Sequence, residues 1–483
     1  MSGLKKNIVY NTLLSLSQIL FPLITFPYAS RVLGPDGMGA VNFADSFITY
    51  FLIFSALGIP LYGVREIAKV KGDRLALGKV FSELIFIHLA TSLISIVILL
   101  AISLVNQKMY SNFMLYQIGM FILLGNVFIA EWFFQGIEKF KYIAVRTVSI
   151  RLLTIILLFV FVHSTEDRNI YYALNLLATV LAAATNMFAV QRMVPISFQK
   201  LELKRHWKPL FIIFSNSIIT TIYLVFDTII LGFLTADVYV GYYAAAMRIS
   251  KLSLAIIGVL SAVLLPRLTV AFKDGNHEEA KKLLNTSISF VIFASIPIAF
   301  GTYCLAPEII ALFAGNKYES AVGSLQILCF IVIFVGIAQV YAHQILLPLH
   351  QERKILFASI IGVVISLSLN FVLIPSLKQN GAAISSLATE CCVTMALFYF
   401  SFKLFRLKFP IMQLVQAIIS AALFLAIRYA VVQITNTPIL VIALTVPVSA
   451  ITYFLLQVFV WKNRTVLNVL SGFGPLKFLQ KIP

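Results

Sequence analysis

Nine ionisable side chains interrupt stretches that are otherwise apolar: Arg31, Asp45, Glu83, Arg151, Asp227, Arg248, Lys251, Glu390 and Arg428. In such surroundings a carboxylate and a guanidinium at equal depth can pair, surplus cations can neutralise an anion, and a lone carboxylate can take up a proton or a cation. Asp227 lies ten residues before Asp237 and Arg248 eleven after it. With Asp237 at the turn of an antiparallel hairpin, both side chains sit about 15 Å from that turn at 1.5 Å per residue, and they are expected to pair. Arg248 and Lys251 are three apart and share a helix face. One acid cannot neutralise two bases, so this face carries surplus positive charge. Lys251 has no acid on its own hairpin and is the strongest candidate for contact with an anionic substrate. Arg31 and Asp45 flank Gly34-Pro35-Asp36-Gly37 in a similar outline. Glu390, with no base nearby in sequence, is a candidate for coupling to H+ or Na+ or for pairing with another helix. The plain alternative for the two acid–base pairs is a structural role, fixing the register of neighbouring helices. Glu83, Arg151 and Arg428 lie close enough to segment ends to snorkel.

Other chemistries lack their residues. Gly34-Pro35-Asp36-Gly37-Met38-Gly39 is glycine-rich but has no Gly-Lys-Ser/Thr ending to cradle a nucleotide, and the chain has no His-Glu-x-x-His or Gly-x-Ser-x-Gly. Cys304, Cys329, Cys391 and Cys392 fall in apolar stretches without ligand spacing. No catalytic residue, metal site or cofactor is therefore expected, and the chain is not read as an enzyme. His343 and His350, seven apart, are either a proton relay or one packed and one interfacial histidine.

The composition identifies the solvent. Of 483 residues, 60% are hydrophobic and only 12% charged, whereas soluble domains carry about 25% charged residues. Spans of about 20 apolar residues can be placed at 8–30, 40–64, 81–104, 110–131, 146–163, 169–191, 209–233, 239–266, 283–306, 324–348, 355–377, 380–402, 410–432 and 438–461. The predicted fold is thus an all-α polytopic membrane protein with about fourteen transmembrane helices. The first run is too long for a cleavable signal and is expected to stay as a span. With the N-terminus in the cytoplasm, 28 of the 37 lysines and arginines fall in cytoplasmic segments, 5 in opposite loops and 4 within spans. Lysine and arginine bias loops toward the cytoplasm, so this alternation supports both the span count and cytoplasmic N- and C-termini. The net charge of +18 is explained by topology and an anionic leaflet, not by nucleic acid.

Landmarks recur along the chain. Gly39 and Gly241, Pro60 and Pro266, and Gly72 and Gly275 are separated by 202, 206 and 203 residues. This ordered echo predicts two parallel six-helix repeats: an N-terminal lobe at 1–191, a cytoplasmic linker at 192–208, a C-terminal lobe at 209–402, and two added helices with a tail at 403–483.

Four segments are distinctive: Phe26-Pro27-Tyr28-Ala29-Ser30-Arg31-Val32-Leu33-Gly34, the run from Gly58 to Ala68, Glu131-Trp132-Phe133-Phe134-Gln135-Gly136-Ile137-Glu138, and Val240-Gly241-Tyr242-Tyr243-Ala244-Ala245-Ala246-Met247-Arg248. With them the chain resembles the polysaccharide transporter family, the Wzx-type flippases of O-antigen and other lipid-linked oligosaccharides. The resemblance implies two six-helix lobes around a central cavity with alternating access in the bacterial inner membrane. It implies a cargo of undecaprenyl-diphosphate-linked oligosaccharide, with a polysaccharide polymerase and a chain-length regulator as candidate partners beside membrane lipids. Arg31 and Arg248 carry over from the family's motifs as cavity cations. Lys251 joins them on the depth argument, with Asp45 and Asp227 as orienting acids and Glu390 for ion coupling. The alternative within the same superfamily is a cation-coupled multidrug exporter.

Overall fold

The computed structural model describes residues 3–197, 201–405, 407 and 409–463, without the side chains of 3–8, 11, 13, 19, 216–217, 219–224, 255–256, 258–264 and 266. The described residues are helical with no strand. Among them, eleven stretches are long and apolar enough to cross a membrane. One, Leu14–Lys69, contains a break at Gly34 and so holds the first two expected spans. The seventh and eighth expected spans fall on helices Lys204–Leu234 and Asp237–Lys273. All fourteen expected spans thus fall on helical segments, the second (40–64) interrupted by a turn at Leu57 and Gly58. The chain is an all-α polytopic membrane protein. Basic residues at Arg406, Lys408, Arg464, Lys477 and Lys481 lie outside the described residues.

The chain divides into two compact units, 1–241 and 242–483. The first begins with α1 (Gly3–Ala56), broken where Gly34 adopts φ 70 and ψ 177. Pro35 disfavours a helical conformation for its predecessor, and only glycine takes this positive φ without strain. Leu57 and Gly58, both at positive φ, turn the chain into α2 (Ile59–Lys69). Asp73 caps α3 (Arg74–Val105) by accepting from the amides of Leu75 and Ala76. There follow α4 (Gln107–Ser111), α5 (Phe113–Ile129), α6 (Glu131–Gly136), α7 (Phe140–Phe161), α8 (Arg168–Met193) and α9 (Lys204–Leu234). One core gathers α1 residues Ala40, Val41, Ala44 and Ile48 with Leu115, Tyr116 and Leu123 of α5 and Tyr172 of α8. A second packs α2 and α3 on α6, with Phe81, Trp132, Phe133 and Phe134 at its centre.

Helix α10 (Asp237–Lys273) starts in the first unit and continues in the second. After Gly275 at φ 68, Asn276 caps α11 (His277–Cys304), matching Gly72 and Asp73 before α3. Then come α12 (Ala306–Phe313), α13 (Ala321–Leu328), α14 (Ile331–Gln339), α15 (Glu352–Leu377), α16 (Gln379–Phe402), α17 (Ile411–Val432) and α18 (Pro438–Leu455). A π-helical turn, Val340–Leu346, follows α14 and carries His343. His343 and His350 are both exposed, so neither is packed as a core histidine. All four cysteines are free.

Candidate functional site

The outer surfaces of these helices are apolar: Leu93, Ile94, Val97 and Ile98 of α3 and Val415, Ile419 and Leu423 of α17 are exposed. Such side chains suit hydrocarbon. Against that background Asp45 is an exception. It is exposed, although it lies eleven residues past the Gly34 break, about 16 Å along the helix. Its neighbours Val41, Ala44 and Ile48 point into the core, which turns Asp45 out of it. The Tyr172 hydroxyl donates to its Oδ1 at 3.4 Å. Arg31 is also exposed, and its Nη1 donates to the Pro27 carbonyl at 2.7 Å. Asp227, in α9, is half-buried near the Tyr50 hydroxyl.

In the second unit, α10 is oriented by two contacts. Tyr243 hydroxyl lies 2.9 Å from Ser386 Oγ on α16, and Ser250 donates to the Leu328 carbonyl of α13 at 3.0 Å. Both contacts lie on one stripe of α10. At about 100° per residue, Lys251 is turned about 80° and Arg248 about 140° from it. Neither shares that stripe; Arg248 is half-buried and Lys251 exposed, the latter fourteen residues from the start of the helix. Glu390 is half-buried midway along α16, one turn from Thr394, whose hydroxyl donates to the Glu390 and Phe334 carbonyls. Asp227 belongs to the first unit and Arg248 to the second.

Three expectations of snorkelling give way to fixed partners. Glu83 is fully buried rather than reaching for water. It accepts from Arg205 Nη2, from His206 Nε2 at 2.9 Å and from the Glu202 amide at 2.8 Å, while Tyr62 hydroxyl lies 2.9 Å from the other His206 nitrogen. Arg428 makes a bidentate contact with Glu308, its shortest arm 2.6 Å. Arg151 donates to Ser17 and lies over the Phe21 ring. In each case the partner is remote in sequence, so spacing gave no signal. The same is true of Lys108, which pairs with Asp237 at 2.8 Å and donates to the carbonyls of Gly232 and Thr235 at the end of α9.

Two of the segments that carried the family resemblance meet in the first unit. A Cβ on Gly63 would come within 2.6 Å of the Trp132 ring, and one on Gly136 within 2.6 Å of Ile67. Close packing of α2 on α6 therefore needs glycine on both sides. At the start of α6, Glu131 accepts from Arg146 of α7 at 2.9 Å. In the second unit, a groove of about 320 Å³ runs between α11 and the last two helices, lined by Pro297, Gly301, Phe424, Thr445, Val446 and Ser449.

Known proteins are similar to this chain in sequence and in fold. The sequence pattern of the polysaccharide biosynthesis protein family matches residues 4–272, and that of the MatE family matches 212–372. A protein of Escherichia coli (strain K12), named as an O-antigen transporter, is 26% identical over 404 residues, covering 82% of this chain and 96% of its own. Among solved structures, lipid II flippase MurJ in an inward closed conformation superposes with a TM-score of 0.73 at 15% identity, over 94% of this chain and 99% of its own. An inward-facing multidrug resistance MATE family transporter gives 0.66 at 17% identity, over 83% and 98%. At these identities the two structures share the fold. The family pattern spans more than half of the sequence, and the chain belongs to the polysaccharide biosynthesis protein family.

Proposed function

We propose that the chain is a flippase that moves undecaprenyl-diphosphate-linked oligosaccharide repeat units, for O-antigen or another surface polysaccharide, from the cytoplasmic to the periplasmic leaflet by alternating access. The observation that carries this reading is exposed charge at mid-membrane depth. Asp45 and Lys251 are open rather than buried, in a molecule whose helices α3 and α17 present apolar outer faces. A charged group facing hydrocarbon is costly, so such residues face water-filled space. A diphosphate cannot cross the bilayer unshielded. Arg31 in the first unit, and Arg248 and Lys251 in the second, offer it cations and charge-assisted hydrogen bonds. Asp45 and Asp227 orient them, and Glu390 couples the cycle to H+ or Na+. The groove beside α17 and α18 suits an apolar lipid tail. Placement in the inner membrane with both termini cytoplasmic, two six-helix lobes at 1–191 and 209–402, and handover to a polymerase and chain-length regulator complete the proposal.

The test is reconstitution in vesicles with a fluorescent lipid-linked oligosaccharide. Protein-dependent movement to the far leaflet, read by an impermeant quencher, is the expected result. The fold shared with a multidrug exporter favours a second reading, export of organic cations. Transport of a fluorescent drug cation with no movement of the lipid would establish that reading and remove the first.

A further inference from the structure

A cavity of about 750 Å³ opens on the first unit beside the α6–α7 turn, lined by Lys139, Lys141, Tyr142, Val145, Arg146 and Ile150 among others. Its size is that of a small-molecule site. Its walls are of two kinds. Val145, Ile150 and the Tyr142 ring are apolar, while Lys139, Lys141 and Arg146 bring three positive charges. The acid in the lining, Glu138, is engaged by Lys71 at 3.1 Å. Lys139 Nζ rests 3.7 Å from the Met193 sulfur. Lys141 has no ion pair among the described residues, and both lysines are exposed.

Arg146 distinguishes this cavity from an ordinary basic surface. Its side chain is only 7% exposed. Nη2 donates to Glu131 and to the Thr147 hydroxyl, but Nε and Nη1 are buried with no hydrogen-bond partner. Donors on a buried charge are expensive to leave unmet. A modest rotation of the guanidinium toward the cavity would give both donors an anionic oxygen to bond. Planar, paired donors suit phosphate oxygens. The adjoining apolar wall suits the first carbons of a lipid chain. Basic pockets between membrane helices recognise anionic headgroups in this way.

We propose that this cavity binds the phosphate headgroup of a membrane lipid, with Arg146 as the buried anchor and Lys139 and Lys141 as rim contacts. The bound lipid is either an anionic phospholipid of the bilayer or a polyisoprenyl phosphate. The site is independent of the transport reading, since it is defined by binding alone.

The experiment uses the full chain in phosphatidylcholine vesicles carrying a small fraction of photoactivatable phosphatidylglycerol, with labelled peptides identified by mass spectrometry. Label is expected to concentrate on residues 138–150. Removing both exposed lysines, Lys139→Gln with Lys141→Gln, is expected to lower it by roughly fivefold per lysine. This variant leaves the Arg146–Glu131 pair in place, so loss of fold does not confuse the outcome. Unlabelled phosphatidylglycerol and undecaprenyl phosphate are then added separately, and whichever displaces the label at lower concentration names the source. Unchanged labelling in the lysine variant, equal labelling by photoactivatable phosphatidylcholine, or displacement by neither lipid would overturn the proposal. Because the readout is labelling and not transport, a failed transport assay leaves the result intact.

Discussion

An exposed ammonium and a buried carboxylate place opposite demands on the helices that carry them. Lys251 is open on α10, so replacing it removes little packing. Lys251→Ala is expected to lower transport of the lipid-linked oligosaccharide about tenfold, the worth of one charge-assisted hydrogen bond. Membrane abundance should stay near normal. A fall in abundance matching the fall in transport would make Lys251 structural. Glu83 is the reverse case, fully buried beneath Arg205 and His206. Glu83→Gln leaves those donors without a charged acceptor and is expected to cost about 2 kcal/mol, read as a lower thermal midpoint of the purified protein. Sequence inspection singled out both residues as charges in apolar runs. It separated them badly, because nearness to a segment end cannot tell a snorkelling acid from one whose partners sit more than a hundred residues away.

Helix contacts set the next scale. A Cβ on Gly39 would fall 1.8 Å from the Asp237 carbonyl oxygen, and one on Gly241 2.0 Å from that of Pro35. Each of these echoing glycines thus admits the backbone on which the other's segment begins. Gly39→Ala should force the two apart and cost about 2 kcal/mol. Gly72 offers the contrast: nothing lies within 4 Å of its Cβ position, but its φ is +109. Gly72→Ala should therefore cost only the backbone strain, about 1 kcal/mol. Equal effects in thermal unfolding would refute the distinction. The segment before α9 is held by a different device. Glu202 bonds Lys79, and that ammonium holds its carboxyl below the usual carboxylate range. A depressed acid stabilises the fold at higher pH and loses its contribution as pH falls through its own lowered value. Hydrogen exchange at residues 201–206 should accelerate across that interval in wild type but not in Glu202→Gln.

For the whole molecule, orientation is the property that every loop shares. In a chain whose four cysteines are replaced, a cysteine at Lys139 should resist an impermeant maleimide added outside intact cells, and one at Glu166 should react. Both positions are exposed. The reverse pattern would invert the topology inferred from charge. The fourteen helical spans were legible in the sequence because crossing hydrocarbon demands about 20 apolar residues with every backbone group bonded internally. That demand is local and leaves its mark residue by residue. The break at Gly34 was legible too, since a glycine directly before proline has few helical solutions, whereas the one at Gly58 falls inside the expected span 40–64 and was not. Partner choice was not. Glu83 with Arg205, Arg428 with Glu308, Lys108 with Asp237 and the cavity around Arg146 depend on which helices lie side by side, and apolar surfaces pack with little preference visible in composition. Length and polarity alone decide that a helix spans; only the folded arrangement decides which charge it meets there.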